Sequence, residues 1–302
     1  MTDRHEPALV LAVGGGLAAV RTDAGEERLA KFAGRLDRRP VAGDRVELLL
    51  EDGDGGRIDV IEPRRTELRR QQRMRSEGER MMKEQVLAAN ADCVLIVASI
   101  TDPPLRRGLI DRILVSAWRG GLVPLLAITK QDLAERADER PDDVLADYAA
   151  IDVPGVCVDV RTAAGADAVR ALLAGRTAAV VGHSGVGKST LVNALTGGGQ
   201  VTGAIHELSG RGRHTTTTAT WLDMPDGGGL IDLPGIRSFS LAGISPGDLA
   251  HAFADVAEAS AGCRFTDCRH VGEAGCAVEG AVEPARLASY RKLLAELEGD
   301  ER

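Results

Sequence analysis

The sequence predicts an α/β protein in three parts. A doubly wound parallel sheet carries a phosphate loop, a five-stranded β-barrel of the OB type precedes it, and a short helical region with a cysteine/histidine cluster follows. Three observations carry this. Gly182-His183-Ser184-Gly185-Val186-Gly187-Lys188-Ser189 fits the pattern G-x-x-x-x-G-K-[ST], between an apolar strand and a helix start. Residues 8–62 break into five short strands separated by glycine turns. Cys263, Cys268, His270 and Cys276 fall within 14 positions.

The composition limits the rest. The 302 residues suggest two or three domains, and 44% hydrophobic with 27% charged residues is ordinary for a globular chain. No apolar run reaches the roughly 18 residues of a membrane span. Met1-Thr2-Asp3-Arg4-His5-Glu6 has no signal-peptide core, so the expectation is a cytoplasmic protein with no membrane partner. Five cysteines in this length do not make a disulfide framework. The net charge of −8 argues against indiscriminate nucleic-acid binding. Residues 1–75 nevertheless hold 15 Lys/Arg against 14 Asp/Glu, leaving 22 against 31 for the remainder. Arg64 to Arg75 contains six Arg and one Glu. Two readings of that basic segment stand side by side, a phosphate-binding footprint and a solvated linker.

Taken in order, the barrel strands are Ala8–Val13, Leu17–Thr22, Glu27–Phe32, Asp44–Leu50 and Gly56–Ile61, within a first domain of residues 1–66. Phe32 is the only aromatic residue in these strands, so RNA contact there would be electrostatic and shape-based, not stacking. Residues 67–85 are polar, lack an apolar period and read as a basic linker. From 86 to 243, strands and helices alternate. Asp92–Ser99 and Leu122–Ile128 are continuous apolar runs, as expected for strands buried on both faces. Helices are predicted over Leu109–Arg119, Pro141–Ala150 and Ala164–Ala174, and a further strand over Val153–Val160. Arg176–Gly182 leads into the phosphate loop. Residues 244–302 form the last region, opened by Ser245-Pro246-Gly247-Asp248.

The phosphate loop has a clear chemistry. Its glycines let backbone N–H groups from Gly182 through Thr190 converge on phosphate oxygens, and the helix N-terminus adds its positive end. Lys188 is placed to reach the β- and γ-phosphates and to act in catalysis, and the Ser189 hydroxyl to ligate magnesium. Asp232-Leu233-Pro234-Gly235, after the apolar Gly229–Ile231, supplies a carboxylate for magnesium and a Gly235 amide for the γ-phosphate. Thr129-Lys130-Gln131-Asp132 ends a strand. By itself it is either a strand-end loop or a base reader, in which Asp132 accepts from guanine N1–H and the 2-amino group, a pair adenine lacks. Within Gly210–Thr218 a threonine, Thr216, can complete the magnesium shell.

Together these pieces resemble the GTPase superfamily, with the base motif at 129–132 encoded before the phosphate loop at 182–189 instead of after it. That order marks the circularly permuted GTPases. Gly182–Thr190, Gly212–Thr217, Asp232–Arg237, the barrel and the Cys/His cluster are similar to the ribosome small-subunit-dependent family of such enzymes. The resemblance covers nearly the whole chain. It implies an OB domain, a permuted GTPase domain and a zinc domain. It further implies GTP and GDP as ligands, magnesium with GTP, the small ribosomal subunit and its rRNA as partners, and action late in the subunit's maturation. A monomer is expected. Two positions depart from the family: Thr129 stands where Asn is usual, so weaker bracing is expected, and Asp159-Val160-Arg161 replaces a Ser-Ala clamp, so altered base contacts are expected there.

Cys263, Cys268, His270 and Cys276 supply a complete tetrahedral shell for a structural zinc, with no position left for water. Cys93 and Cys157 lie in predicted strands and read as small buried hydrophobes. Ras-like enzymes place a water-orienting Gln after the DxxG glycine, where this chain has Ile236, so slow intrinsic turnover is expected. His214 is the candidate water-positioning group; the plainer reading is a phosphate- or RNA-facing residue. Arg237 could face either phosphate or partner. The competing classes are a P-loop ATPase or small-molecule kinase, which would show no guanine preference, and a non-hydrolysing RNA-binding scaffold, which would show no turnover.

Overall fold

The computed structural model describes residues 5–50, 55–75, 80–198, 203–210, 218–235, 239 and 244–300. The N-terminal strands are β1 His5–Gly14, β2 Leu17–Thr22, β3 Glu27–Phe32, β4 Arg45–Leu50 and β5 Gly55–Ile61. They pair in the order β1-β2-β3-β5-β4 and close through β1–β4, with β3 and β5 parallel. This is the closed five-stranded barrel expected from the glycine-punctuated strands. Its interior is aliphatic, with Val10, Val20, Val46, Leu48 and Ile58 fully buried.

Residues 67–85, expected as a linker, are mostly strand. β6 Glu67–Arg75 and β7 Arg80–Ala89 pair antiparallel from Glu67↔Ala89 to Arg75↔Arg80. A two-stranded ribbon buries little, so it needs no apolar alternation to announce it. Its base is fixed to the domain that follows: Leu68 is buried, the Glu67 amide donates to Gly120 O at 3.0 Å, and Ser116 Oγ donates to Arg69 O at 2.6 Å. The basic segment also has internal uses. Arg64 forms a buried two-point pair with Asp44 at 2.7 and 2.9 Å, and Arg65 reaches Asp92 at 2.7 Å. These two arginines tie barrel to sheet.

The central sheet adds β8 Cys93–Ser99, β9 Val123–Thr129, β10 Gly155–Val158, β11 Ala178–Gly182, β12 Thr220–Asp223 and β13 Gly229–Asp232. Their order is β10-β9-β8-β11-β13-β12, all parallel except β12. Every residue of β8 is buried. Its Val94, Ile96 and Ala98 join the core under α1 Arg107–Arg119 and α2 Pro141–Ala149; its Cys93, Leu95 and Val97 join the core under α3 Ala163–Leu173 and α4 Lys188–Leu195. Helices on both faces make the doubly wound layer predicted from the continuous apolar runs. The strand expected over Val153–Val160 is shorter, because Asp152 takes a left-handed turn (φ 58°) and Pro154 follows.

A short helix not foreseen, α5 Gly203–Gly210, packs on the barrel through Ile205 and Leu208 against Leu11, Ala12 and Ala19. β12 joins the barrel through Ala12↔Thr220, and Arg21 makes a two-point pair with Asp223 at 2.9 and 2.7 Å. The C-terminal helices are α6 Pro246–Ala252, α7 Ala254–Ser260 and α8 Pro284–Asp300. Ser245 and Asp248 form a reciprocal capping box that starts α6, as the Ser-Pro-Gly-Asp run suggests. Leu249, Phe253, Val256, Leu287 and Leu293 pack around Val115 of α1, so this region is seated on the doubly wound domain.

Candidate nucleotide site and metal cluster

The C-terminal ends of the parallel strands converge where a doubly wound sheet binds its ligand. β11 ends in Gly182 and α4 begins at Lys188, with residues 183–187 between them. Gly185 and Gly187 hold φ values of 85° and 89°, which glycine adopts without strain. Ser184, Gly185, Ser189 and Thr190 are exposed, while Val186 and Lys188 are buried. His183 donates from Nδ1 to Ser184 O at 2.9 Å and accepts from Arg106 Nη1 at 3.4 Å. The loop therefore has the predicted strand–loop–helix geometry.

Asp232, at the end of β13, forms an ion pair with the Lys188 ammonium. Gly235 lies over the loop: a Cβ built on it would stand 3.7 Å from the Ser184 nitrogen. The two motifs singled out on either side of residue 200 thus share one site. His214, Thr216, Ile236 and Arg237 lie outside the described residues.

β9 brings the third motif alongside. Thr129 is fully buried, and its hydroxyl lies 2.6 Å from Val186 O and 3.2 Å from Ala98 O. It can donate only one hydrogen at a time, and the shorter contact ties it to the phosphate loop. Thr129, expected to brace less well than Asn, reaches the loop from within the core through this contact. Gly187 packs against it, since a Cβ there would sit 3.5 Å from Val160 and 3.8 Å from Thr129 Oγ1. Lys130 takes a left-handed conformation (φ 62°) and its ammonium donates to Asp102 O. Asp132 follows on a short 3₁₀ turn, Gln131–Arg136, with its carboxylate facing out.

The residue that sequence reasoning did not assign is the partner of Asp132. Arg161 Nη2 lies 2.7 Å from Asp132 Oδ2. The same guanidinium pairs with Asp159 from Nε and Nη2 at 2.9 and 2.8 Å, and the Arg161 amide donates to Asp159 at 3.0 Å. These bonds hold the half-buried Asp159 carboxyl down to about 2. The available signal was topological: β10 adjoins β9, so residues 159–161 must emerge beside 129–132.

In the C-terminal region the ligand atoms of Cys263, Cys268, His270 and Cys276 lie within 4.8 Å of one another. Cys263 Sγ and Cys276 Sγ stand 3.6 and 3.5 Å from His270 Nδ1. Tetrahedral coordination with metal–ligand bonds of about 2.0–2.3 Å requires ligand separations of this size. The imidazole is buried, and its backbone takes φ 59° to reach the cluster. These residues can hold a metal ion. By contrast, burial pushes the Cys93 and Cys157 thiols up to about 11; Cys93 is fully buried and Cys157 half-buried.

A parallel phosphate-loop sheet in which the strand leading into Thr129–Asp132 is encoded upstream of the loop has the order of a circularly permuted GTPase. The solved structure of YloQ, described as a circularly permuted GTPase, shares the fold at a TM-score of 0.69 and 23% identity, covering 99% of this chain and 96% of that one. YjeQ from Thermotoga maritima superimposes at a TM-score of 0.73 with 27% identity, covering 98% and 99% of the two chains. A family profile described as RsgA GTPase matches residues 61–242. The small ribosomal subunit biogenesis GTPase RsgA of Azotobacter vinelandii is 41% identical over 264 residues, 85% of this chain and 75% of that protein. The chain belongs to the RsgA GTPase family.

Proposed function

We propose that this protein binds GTP with magnesium, hydrolyses it to GDP and phosphate slowly on its own, and acts late in maturation of the small ribosomal subunit, which stimulates hydrolysis. The observation that carries this reading is the Thr129–Val186 bond, because it joins the base motif to the phosphate loop. Loop amides from 182 to 190 cradle the phosphates, and Lys188 leaves Asp232 to meet the β- and γ-oxygens. Ser189, Thr216 and Asp232 are the candidate magnesium groups, and the ion held there would supply neutralisation of phosphate charge. Gly235 presents its amide to the γ-phosphate, and Lys130 lies along the base while Asp132 reads its edge. His214 orients the attacking water, since Ile236 cannot.

The chain divides as 1–66 barrel, 86–243 GTPase domain and 244–302 metal domain, with the 67–85 ribbon between the first two. The cysteine cluster holds one structural zinc, which replaces core that a small region cannot build. Among the described residues no helix is long and apolar enough to cross a membrane. A cytoplasmic monomer that meets rRNA fits the role. Both described elements that flank residues 211–217, α5 and β12, are seated on the barrel. A partner that grips the barrel therefore acts on both ends of that segment.

Co-sedimentation with purified small subunits tests the partner. Binding is expected with a non-hydrolysable GTP analogue and release with GDP. Equal affinity in the two states would contradict the reading.

A further inference from the structure

We propose that Arg161 is a second base-reading residue, donating to O6 of guanine while it remains on the Asp132 carboxylate. This rests on the reading of Asp132 above. The argument begins with placement. The loops after β9 and β10 emerge side by side, and both Thr129 and Val160 pack against Gly187 of the phosphate loop. Residue 161 is therefore held next to the base end of the site by the same contacts that hold residue 132.

The guanidinium is fixed in orientation before any base arrives. Asp159 grips its Nε and Nη2, and Nη2 also meets Asp132. Among the described residues Nη1 makes no hydrogen bond, so its donors are available. The Arg161 side chain is 64% exposed and that of Asp132 33% exposed. A surface ion pair of this kind contributes little to folding and orders two side chains at an entropic cost. Its placement on the base-reading carboxylate calls for a different account, and ligand chemistry supplies one.

On the guanine edge, the 2-amino group and N1–H are donors and the next atom, O6, is an acceptor. A carboxylate that accepts from the first two leaves O6 beside its outer oxygen. The guanidinium bonded to that oxygen through Nη2 carries its unused Nη1 hydrogens beside it, within reach of O6. A carboxylate offers about four lone-pair sites, so one bond from Arg161 leaves room for both guanine donors. Adenine places an amino group where O6 would be, and that group would face a guanidinium that has only donors. Arg161 thus turns a two-point reading into a three-point one and adds a repulsive element against adenine. Asp159 is a positioning residue that aims it.

Calorimetric binding of GDP and 6-thio-GDP to the full chain tests this, because sulfur at position 6 is a poor acceptor. The wild-type protein should prefer GDP. Arg161→Ala should weaken GDP by about tenfold, the size of one hydrogen bond to a charged group. It should leave 6-thio-GDP nearly unchanged, so the preference collapses. Asp159→Asn should give a smaller loss in the same direction. Equal losses for both nucleotides would make Arg161 a brace for Asp132 and overturn the proposal, as would unchanged or tighter GDP binding. Asp132→Ala, measured with GDP and ADP, separates the two layers: if it keeps the guanine preference, the reading of Asp132 itself is wrong.

Discussion

At the phosphate end of the site, recognition is built from backbone between core elements. The loop runs from a buried strand to a helix, Lys188 is sunk beneath it, and a buried threonine ties it from below. At the end proposed to read the base, the groups are side chains on two separate loops, Asp132 on one and the more exposed Arg161 on the other. The first arrangement is fixed by the packing of the sheet. The second rests on charged contacts that a single substitution can remove. Affinity for a triphosphate and choice of base should therefore be separable by mutation.

Lys188→Ala should have the largest effect. Turnover should fall by on the order of 10²–10³, the usual loss when one preorganised charge-stabilising donor is removed. Phosphate release measures it, and residual turnover near wild type would place the chemistry elsewhere. Asp132→Ala should follow, weakening GDP by about a hundredfold through two lost charge-assisted bonds while leaving ADP unaffected. Calorimetry with both nucleotides separates base choice from phosphate grip.

Thr129→Val sharpens the comparison further. It should weaken GDP and ADP alike, by about tenfold, because Val186 O loses a donor in a buried place. A loss confined to GDP would move Thr129 back among the base readers. Cys263→Ser should have the smallest effect on nucleotide: zinc content falls well below one per chain and the melting temperature drops, while GDP affinity stays within about twofold because the cluster belongs to a different core. Full metal content in that variant would contradict the proposed ligand set.

Much of this was legible in the residues. The barrel strands could be read from glycine turns, and β8 and β9 from runs that alternate between two cores, since both signals are local. The phosphate loop was legible because its conformation demands glycine at fixed spacing. The β6–β7 ribbon was not, because Glu67–Arg75 is mostly polar and shows no apolar alternation to mark a strand. The dual use of Arg64 and Arg65 was hidden for a related reason: composition shows a basic run, but only the fold shows that Asp44 and Asp92 lie opposite. Thr129 looked weaker than Asn on length alone. What decided its reach was the depth of β9 beneath Val186, a tertiary distance no motif encodes. Arg161 was noticed as a departure, yet its partner sits 29 positions upstream, where only the adjacency of β9 and β10 brings them together.

The most direct test of the account is phosphate release from GTP and from ATP, each with and without purified small ribosomal subunits. Slow GTP turnover alone, a strong rise with subunits, and little ATP turnover in either condition are the predicted results. Comparable use of ATP, or GTP turnover that subunits leave unchanged, would contradict it.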